Sequence, residues 1–209
     1  MNEVEELIKT GANILKQKGI KSYFKDSRII MSYVLTGNIE TIQFNFIKKI
    51  SKKKVKQYLY FIKRRSFKEP LSRIVKMKFF WNYLFFLSSD VFDPRPETET
   101  LVEYCLKKCN EKTKIIDVGT GSGCIAISLA VELKNKNITA TDISEKILKI
   151  AKLNAKRNKV KINFKKSFWF ENIEEKYDVL VSNPPYISKD DLLLLDYDVL
   201  EYDPLHALT

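Results

Sequence analysis

Three of the six glycines in this 209-residue chain fall in one pentapeptide, Gly119-Thr-Gly-Ser-Gly123. It lies between an apolar run, Ile115-Ile-Asp-Val118, and a helical apolar pattern that starts at Cys124-Ile-Ala-Ile-Ser-Leu-Ala130. A strand that enters a glycine turn and leaves it as a helix is the opening of a strand–helix–strand unit, so the segment predicts an α/β domain built on a parallel sheet. The spacing G-x-G-x-G narrows the ligand. A dinucleotide fingerprint needs its third glycine at position 124, where the chain has Cys124, and a P-loop needs a following Gly-Lys-Ser/Thr, which is absent. What fits is a nucleoside cofactor without a pyrophosphate, whose amino-acid end approaches the glycine backbone at a helix N-terminus. The alternative is a tight strand-to-helix turn that binds nothing.

Asp142 favours the ligand. It closes a second short strand pattern, Asn137-Ile-Thr-Ala-Thr141, 25 residues after Asp117, where a carboxylate can accept both hydroxyls of a ribose. S-adenosylmethionine has this chemistry, and Gly119, Thr120, Gly121, Ser122, Gly123 and Asp142 are its candidate binding residues. Sixty residues past the loop, a third strand pattern, Tyr177-Asp-Val-Leu-Val-Ser182, runs into Asn183-Pro184-Pro185-Tyr186. Two prolines fix φ near −65° and remove two backbone donors, so this corner is stiff and presents acceptors only. The Asn183 side-chain oxygen and the Pro184 carbonyl can each accept an N–H of a planar amide or amine and hold its nitrogen in line with a donor methyl. Tyr186 adds an aromatic face that stacks on a planar group and favours positive charge developing on nitrogen. Asn183, Pro184 and Tyr186 are the candidate catalytic residues. Pro185 completes the substrate-binding set, and Asn183 also borders the cofactor.

The segments Asp93-Pro-Arg-Pro-Glu-Thr-Glu-Thr-Leu-Val-Glu103, Ile115 to Ala130 and Val181-Ser-Asn-Pro-Pro-Tyr-Ile187 together resemble the release-factor glutamine methyltransferases, the PrmC/HemK family. Glu69-Pro70-Leu-Ser-Arg-Ile, Phe80-Trp81 and Glu201-Tyr-Asp-Pro-Leu-His-Ala-Leu208 extend the likeness along nearly the whole chain. The resemblance implies a Rossmann-like domain that methylates the side-chain amide of a glutamine in a peptide-chain release factor, with S-adenosylmethionine as donor. It also implies that residues 1–75 recognise the release factor, and that Thr98 or Glu99 lies near the methionine end of the cofactor. From the residues alone, Pro96 and Glu97 equally well start a helix over 97–109. An Asn-Pro-Pro-Tyr corner also occurs in nucleic-acid amino-methyltransferases acting on adenine N6 or guanine N2. That remains an alternative, as does an inactive relic.

Charge divides the chain. Residues 1–75 hold 17 Lys/Arg against 6 Asp/Glu, whereas residues 76–209 hold 20 of each, so the whole net charge of +11 lies in the first third. That third has helical periodicity over 3–18, 27–35 and 51–67, predicting a small bundle. A connector hairpin at 76–92 and a methyltransferase domain at 93–209 complete the predicted organisation. The basic run Lys48-Lys-Ile-Ser-Lys-Lys-Lys-Val-Lys56 is either a solvated face or a docking surface for an acidic partner or RNA. No stretch is apolar enough to span a membrane, and three cysteines with one histidine offer no metal-ligand spacing. A cytoplasmic enzyme without metal follows.

Two departures from the resembling family stand out. Where it commonly carries an acidic residue that meets the adenine, this chain has Phe168, in Ser167-Phe-Trp-Phe170. Trp169 is then the candidate to stack on the ring. The strand candidates number four, at 114–118, 137–141, 160–164 and 177–182, against the seven the resemblance implies. An incomplete sheet with a bare edge is the expectation, whether the chain is a fragment, a shortened product or one completed from elsewhere.

Overall fold

A computed structural model describes residues 3–40, 44, 47, 49–188, 190–195 and 197–209. Lys48 of the basic run lies outside the described residues. The chain divides into two compact units, 1–75 and 76–209, and the hairpin falls within the second.

The first unit is helical. Helix α1 (Glu3–Gln17) starts with Glu3, Glu5 and Glu6 at the positive end of its dipole and buries Val4, Ile8, Ala12 and Leu15 along one stripe. Helix α2 (Tyr23–Thr36) ends at Gly37, whose N–H bonds to the Tyr33 carbonyl at 2.8 Å. Ser51 caps α3 (Lys52–Ser66), and α4 (Leu71–Val75) closes the unit. Three helices meet at one buried polar knot. The Ser27 hydroxyl donates to the Ile8 carbonyl at 2.7 Å, and Tyr58 of α3 bonds Ser27 Oγ at 2.6 Å. Arg65 of α3 pairs with the buried Asp26 of α2 at 2.7 Å.

In the second unit, β1 (Met77–Phe80) and β2 (Tyr83–Phe86) form an antiparallel hairpin around Trp81 and Asn82. Pro96 opens a short 3₁₀ turn (Pro96–Thr98) that runs into α5 (Glu99–Lys108), so the expected helix starts as 3₁₀. Then follow β3 (Ile115–Val118), α6 (Cys124–Glu132), β4 (Ile138–Asp142), α7 (Glu145–Arg157), β5 (Asn163–Lys166) and β6 (Val179–Ser182). A short α8 (Tyr197–Tyr202) comes last. Strands β3 and β4 are buried along their whole length, as Ile115-Ile116-Asp117-Val118 and Ile138 to Asp142 require of central parallel strands.

The sheet order is β5-β4-β3-β6, and every pairing is parallel. Chain order therefore reverses at β3, with β4 on one side and β6 on the other. A crevice opens at such a switch point, beyond the carboxyl ends of the strands. All four strands shift from their expected limits, β3 and β4 by one residue and the other two by more. The fifth starts at 163 rather than 160, because Val160 still serves α7, donating its N–H to the Ala155 carbonyl at 3.1 Å. The sixth starts at 179, because Asp178 closes onto Lys114, ahead of β3: its N–H donates to the Lys114 carbonyl at 2.9 Å and its side chain accepts the Lys114 N–H at 2.8 Å.

Candidate active site

Three strand ends deliver the site. β3 leads into the glycine loop, β4 ends on Asp142, and β6 ends one residue before Asn183. The Ser182 hydroxyl donates to the Val118 carbonyl at 2.7 Å, which ties the last residue of β6 to the last residue of β3. Asn183 and Gly119 thus leave the sheet side by side, and both line a cavity of about 470 Å³ within the second unit. That volume suits a nucleoside-sized ligand.

The loop is held from below. Gly121 N–H donates to Asp142 Oδ2 at 3.1 Å, and the Thr120 hydroxyl donates to Asp117 Oδ2 at 2.7 Å. Asp117 is fully buried, and burial pushes its carboxyl up to about 6. The Thr120 hydroxyl and Ala126 N–H pull the other way, and the nearby Asp142 charge adds to the rise. Burial likewise pushes the Cys124 thiol up to about 12, which removes it as a nucleophile near neutral pH.

Of the six cofactor candidates read from the two strand ends, Gly119, Gly121 and Asp142 line the cavity, and Thr120, Ser122 and Gly123 do not. The side chains of Thr120 and Ser122 turn into the protein, and Gly123 serves as the N-cap of α6. Gly121 decides whether the loop fits a ligand. Its φ is +57°, and a Cβ built there would meet no protein atom within 4 Å, so the space over its backbone belongs to the cavity. An acceptor for paired hydroxyls, Asp142, stands at the same wall. These residues fit the nucleoside and amino-acid moieties of S-adenosylmethionine.

Beside the loop stand Asn183, Pro184, Pro185 and Tyr186, all four lining the cavity, with Tyr186 81% exposed at the rim. Asn183 Nδ2 donates to the hydroxyl of buried Thr98 at 3.1 Å, which orients the amide. Thr98 therefore meets the acceptor corner. Glu99 turns elsewhere, accepting the Trp81 N–H at 2.7 Å. Trp169 and Phe168 form an apolar wall, and the Ser167 hydroxyl steadies it by donating to the Trp169 carbonyl at 3.0 Å.

Sequence reasoning missed other parts of the lining. Phe92, Ile143 and Ile147 add apolar surface, and Ala207, Leu208 and Thr209 return to the rim through an Ile187 N–H bond to the Leu208 carbonyl at 3.0 Å. Arg95 pairs with Asp203 and lies over the Phe92 ring at 5.0 Å. The Pro-Arg-Pro segment was the available signal for this group, but nothing local places Asp203 beside it.

A doubly wound parallel sheet with a glycine loop, a carboxylate at the next strand end and an Asn-Pro-Pro-Tyr corner defines the Rossmann-like methyltransferases. A family model described as "Methyltransferase small domain" matches residues 86–195, and one described as "PrmC N-terminal domain" matches residues 6–75. The release factor glutamine methyltransferase of Leptospira interrogans is 36% identical over 97% of this chain and 73% of its own length. That of Buchnera aphidicola from Acyrthosiphon pisum is 40% identical over 88% of this chain and 66% of its own, and that of Fusobacterium nucleatum 37% over 98% and 59%. A bifunctional methyltransferase of Rickettsia felis is 32% identical over 98% of this chain and 45% of its own length. Among solved structures, a Pyrococcus abyssi tRNA (uracil-54, C5)-methyltransferase in complex with S-adenosyl-L-homocysteine aligns with a TM-score of 0.44. It is 22% identical, covering 52% of this chain and 28% of that one.

The chain belongs to the release factor glutamine methyltransferase family. It spans between 45% and 73% of the length of these curated relatives.

Proposed function

We propose that this protein transfers a methyl group from S-adenosylmethionine to the side-chain amide nitrogen of a glutamine in a peptide-chain release factor. One observation carries the reading: Asn183, its amide oriented by Thr98, lines the same cavity as Gly119, Gly121 and Asp142. The bound cofactor supplies an electrophilic methyl on a sulfonium. The protein's own work is placement. With Nδ2 committed to Thr98, Asn183 Oδ1 is directed to accept one N–H of the glutamine amide, and the Pro184 carbonyl accepts the other. Two acceptors fix the plane of the amide and aim the nitrogen lone pair at the methyl carbon. Positive charge would grow on the amide nitrogen as it accepts the methyl group. The same carbonyl oxygens and the Tyr186 ring face stabilise it until a proton leaves to solvent. The rigid diproline backbone holds this geometry without reorganisation.

Residues 1–75 serve, in this reading, to capture the release factor. The family match over 6–75 and the exposed Lys52, Lys53 and Lys56 at the start of α3 support that role. A cytoplasmic location belongs to the same reading. No described helix is long and apolar enough to cross a membrane.

The test is to incubate the full chain with methyl-labelled S-adenosylmethionine and purified release factor, beside Asn183→Ala. Label in a glutamine of the release factor, lost in the variant, supports the proposal. Label entering RNA instead, or equal label from Asn183→Ala, overturns it. Charge reversal at Lys52, Lys53 and Lys56 is expected to raise the KM for release factor and leave cofactor affinity unchanged.

A further inference from the structure

The glycine loop has a third anchor, and it comes from a residue outside every motif. Asn154 of α7 is 0% exposed. Its Oδ1 accepts the Phe86 N–H at 2.7 Å, and its Nδ2 donates to the Phe86 carbonyl at 3.0 Å and the Ser122 carbonyl at 2.9 Å. Both amide hydrogens and the amide oxygen are used, and only a primary amide has that donor and acceptor set. Aspartate lacks the two donors, and leucine, of similar volume, would leave the buried Ser122 carbonyl and the part-buried Phe86 carbonyl and N–H without these partners.

The three partners are the last residue of β2, on both of its backbone groups, and a residue inside Gly119–Gly123. Packing repeats the connection. One turn earlier on α7, Ala151 touches the end of the loop, where a Cβ at Gly123 would lie 3.3 Å from the Ala151 Cβ. One turn later, Arg157 lies over the Phe86 ring at 5.0 Å. Helix α7 therefore clamps the hairpin and the loop with one face.

Resting on the reading of the cavity as a cofactor site, we infer that Asn154 is a positioning residue that couples the cofactor loop to the hairpin. The Ser122 carbonyl is held on the side away from the ligand, so the orientation of the Ser122–Gly123 peptide, and with it the loop's path past the cavity, follows Asn154. Coupling of this kind is reciprocal. A ligand that steadies the loop must also steady the Phe86 backbone, although Phe86 does not line the cavity.

S-adenosylhomocysteine is the probe, and amide hydrogen exchange of the full chain is the readout. In the wild type, saturating probe is expected to slow exchange at the Phe86 amide by about fivefold or more, since exchange there requires opening of the Asn154 bond. In Asn154→Leu the probe's Kd is expected to rise about fivefold or more, and the ligand-dependent protection at Phe86 to vanish. Asn135→Leu, which removes another buried amide of this unit, one bonded to the Asn110 and Thr113 carbonyls and outside the cavity lining, is the control for stability alone and should leave the Kd unchanged.

Wild-type protein that fails to bind the probe sinks the cofactor-site reading itself. Probe binding with unaltered exchange at Phe86 overturns the coupling, and that measurement needs no variant to fold. An unchanged Kd in a folded Asn154→Leu variant also overturns it.

Discussion

Gly121→Ala separates what the glycine loop does for the fold from what it does for the ligand. Its φ of +57° is left-handed, and a Cβ there meets no protein atom within 4 Å, so the substitution brings strain without a clash. For a residue with a Cβ, that strain is about 1–2 kcal/mol. Gly37 supplies the matched control, with φ +75° and the same open surroundings, at the end of α2 in the helical unit. Both alanine variants should lose similar stability in denaturant titrations. Only Gly121→Ala puts its methyl group into the cavity, where the cofactor must pass close to the backbone. Forcing a methyl into a close-packed contact costs about 1–3 kcal/mol, equivalent to a Kd for S-adenosylhomocysteine raised about 5- to 150-fold. Calorimetric titration of the two variants beside the wild type gives the comparison. If Gly121→Ala binds as tightly as Gly37→Ala, the cavity over Gly121 is not where the amino-acid end of the ligand lies.

Other expectations follow from single contacts. Asp117 carries a carboxyl pushed up to about 6 from an ordinary 3.8, so the folded state holds this proton more tightly than the unfolded chain does. Its contribution is fully present below about pH 4 and is lost as pH rises through about 6, a decline on the order of 3 kcal/mol. Denaturant midpoints measured from pH 4 to 7 should show that slope in the wild type and lack it in Asp117→Asn. Thr98→Val removes the acceptor that orients Asn183. It should lower kcat for methyl transfer about 2- to 13-fold at unchanged cofactor affinity, with Thr98→Ser restoring the rate; a shift in KM alone would refute the assignment. Trp169→Ala, at a side chain 48% exposed on the cavity wall, should weaken S-adenosylhomocysteine binding by roughly 1–3 kcal/mol. An unchanged Kd takes Trp169 out of the site.

The parts of the structure legible from sequence were those whose signal is local. Glycine spacing after Ile115-Ile-Asp-Val118, a carboxylate closing the next strand and two prolines after β6 each announce a backbone shape within a few residues. Three strand ends could therefore be placed before their neighbours were known. Limits of β5 were not legible, because Val160 and Ile162 have strand character while the backbone of Val160 is still engaged in closing α7. Within the glycine loop, spacing could not say which residues face the ligand. Thr120 is drawn inward by Asp117, a contact that depends on both being sealed beneath the loop. Thr98 and Asn183 lie 85 residues apart and Asn154 and Phe86 68 apart, so no periodicity reports either pair. Phe92 and the 207–209 segment meet at the cavity through distant contacts, Arg95 with Asp203 and Ile187 with Leu208, that no local pattern announces.

Strand pairing also sets an order of assembly. β4 and β5 align residues 24 positions apart, whereas β6 joins β3 across a separation of 64. Closing the longer loop is entropically slower, so the two-crossover core from 115 to 166 can form before the last strand docks. Everything beyond that strand inherits the delay: the diproline corner, the Asn183–Thr98 bond and the Leu208 return. On the proposed reading, a newly made chain would acquire the Gly119, Gly121 and Asp142 wall of the cavity first and the Asn183–Tyr186 corner last, and a ligand that bound the first wall during synthesis would favour docking of the second.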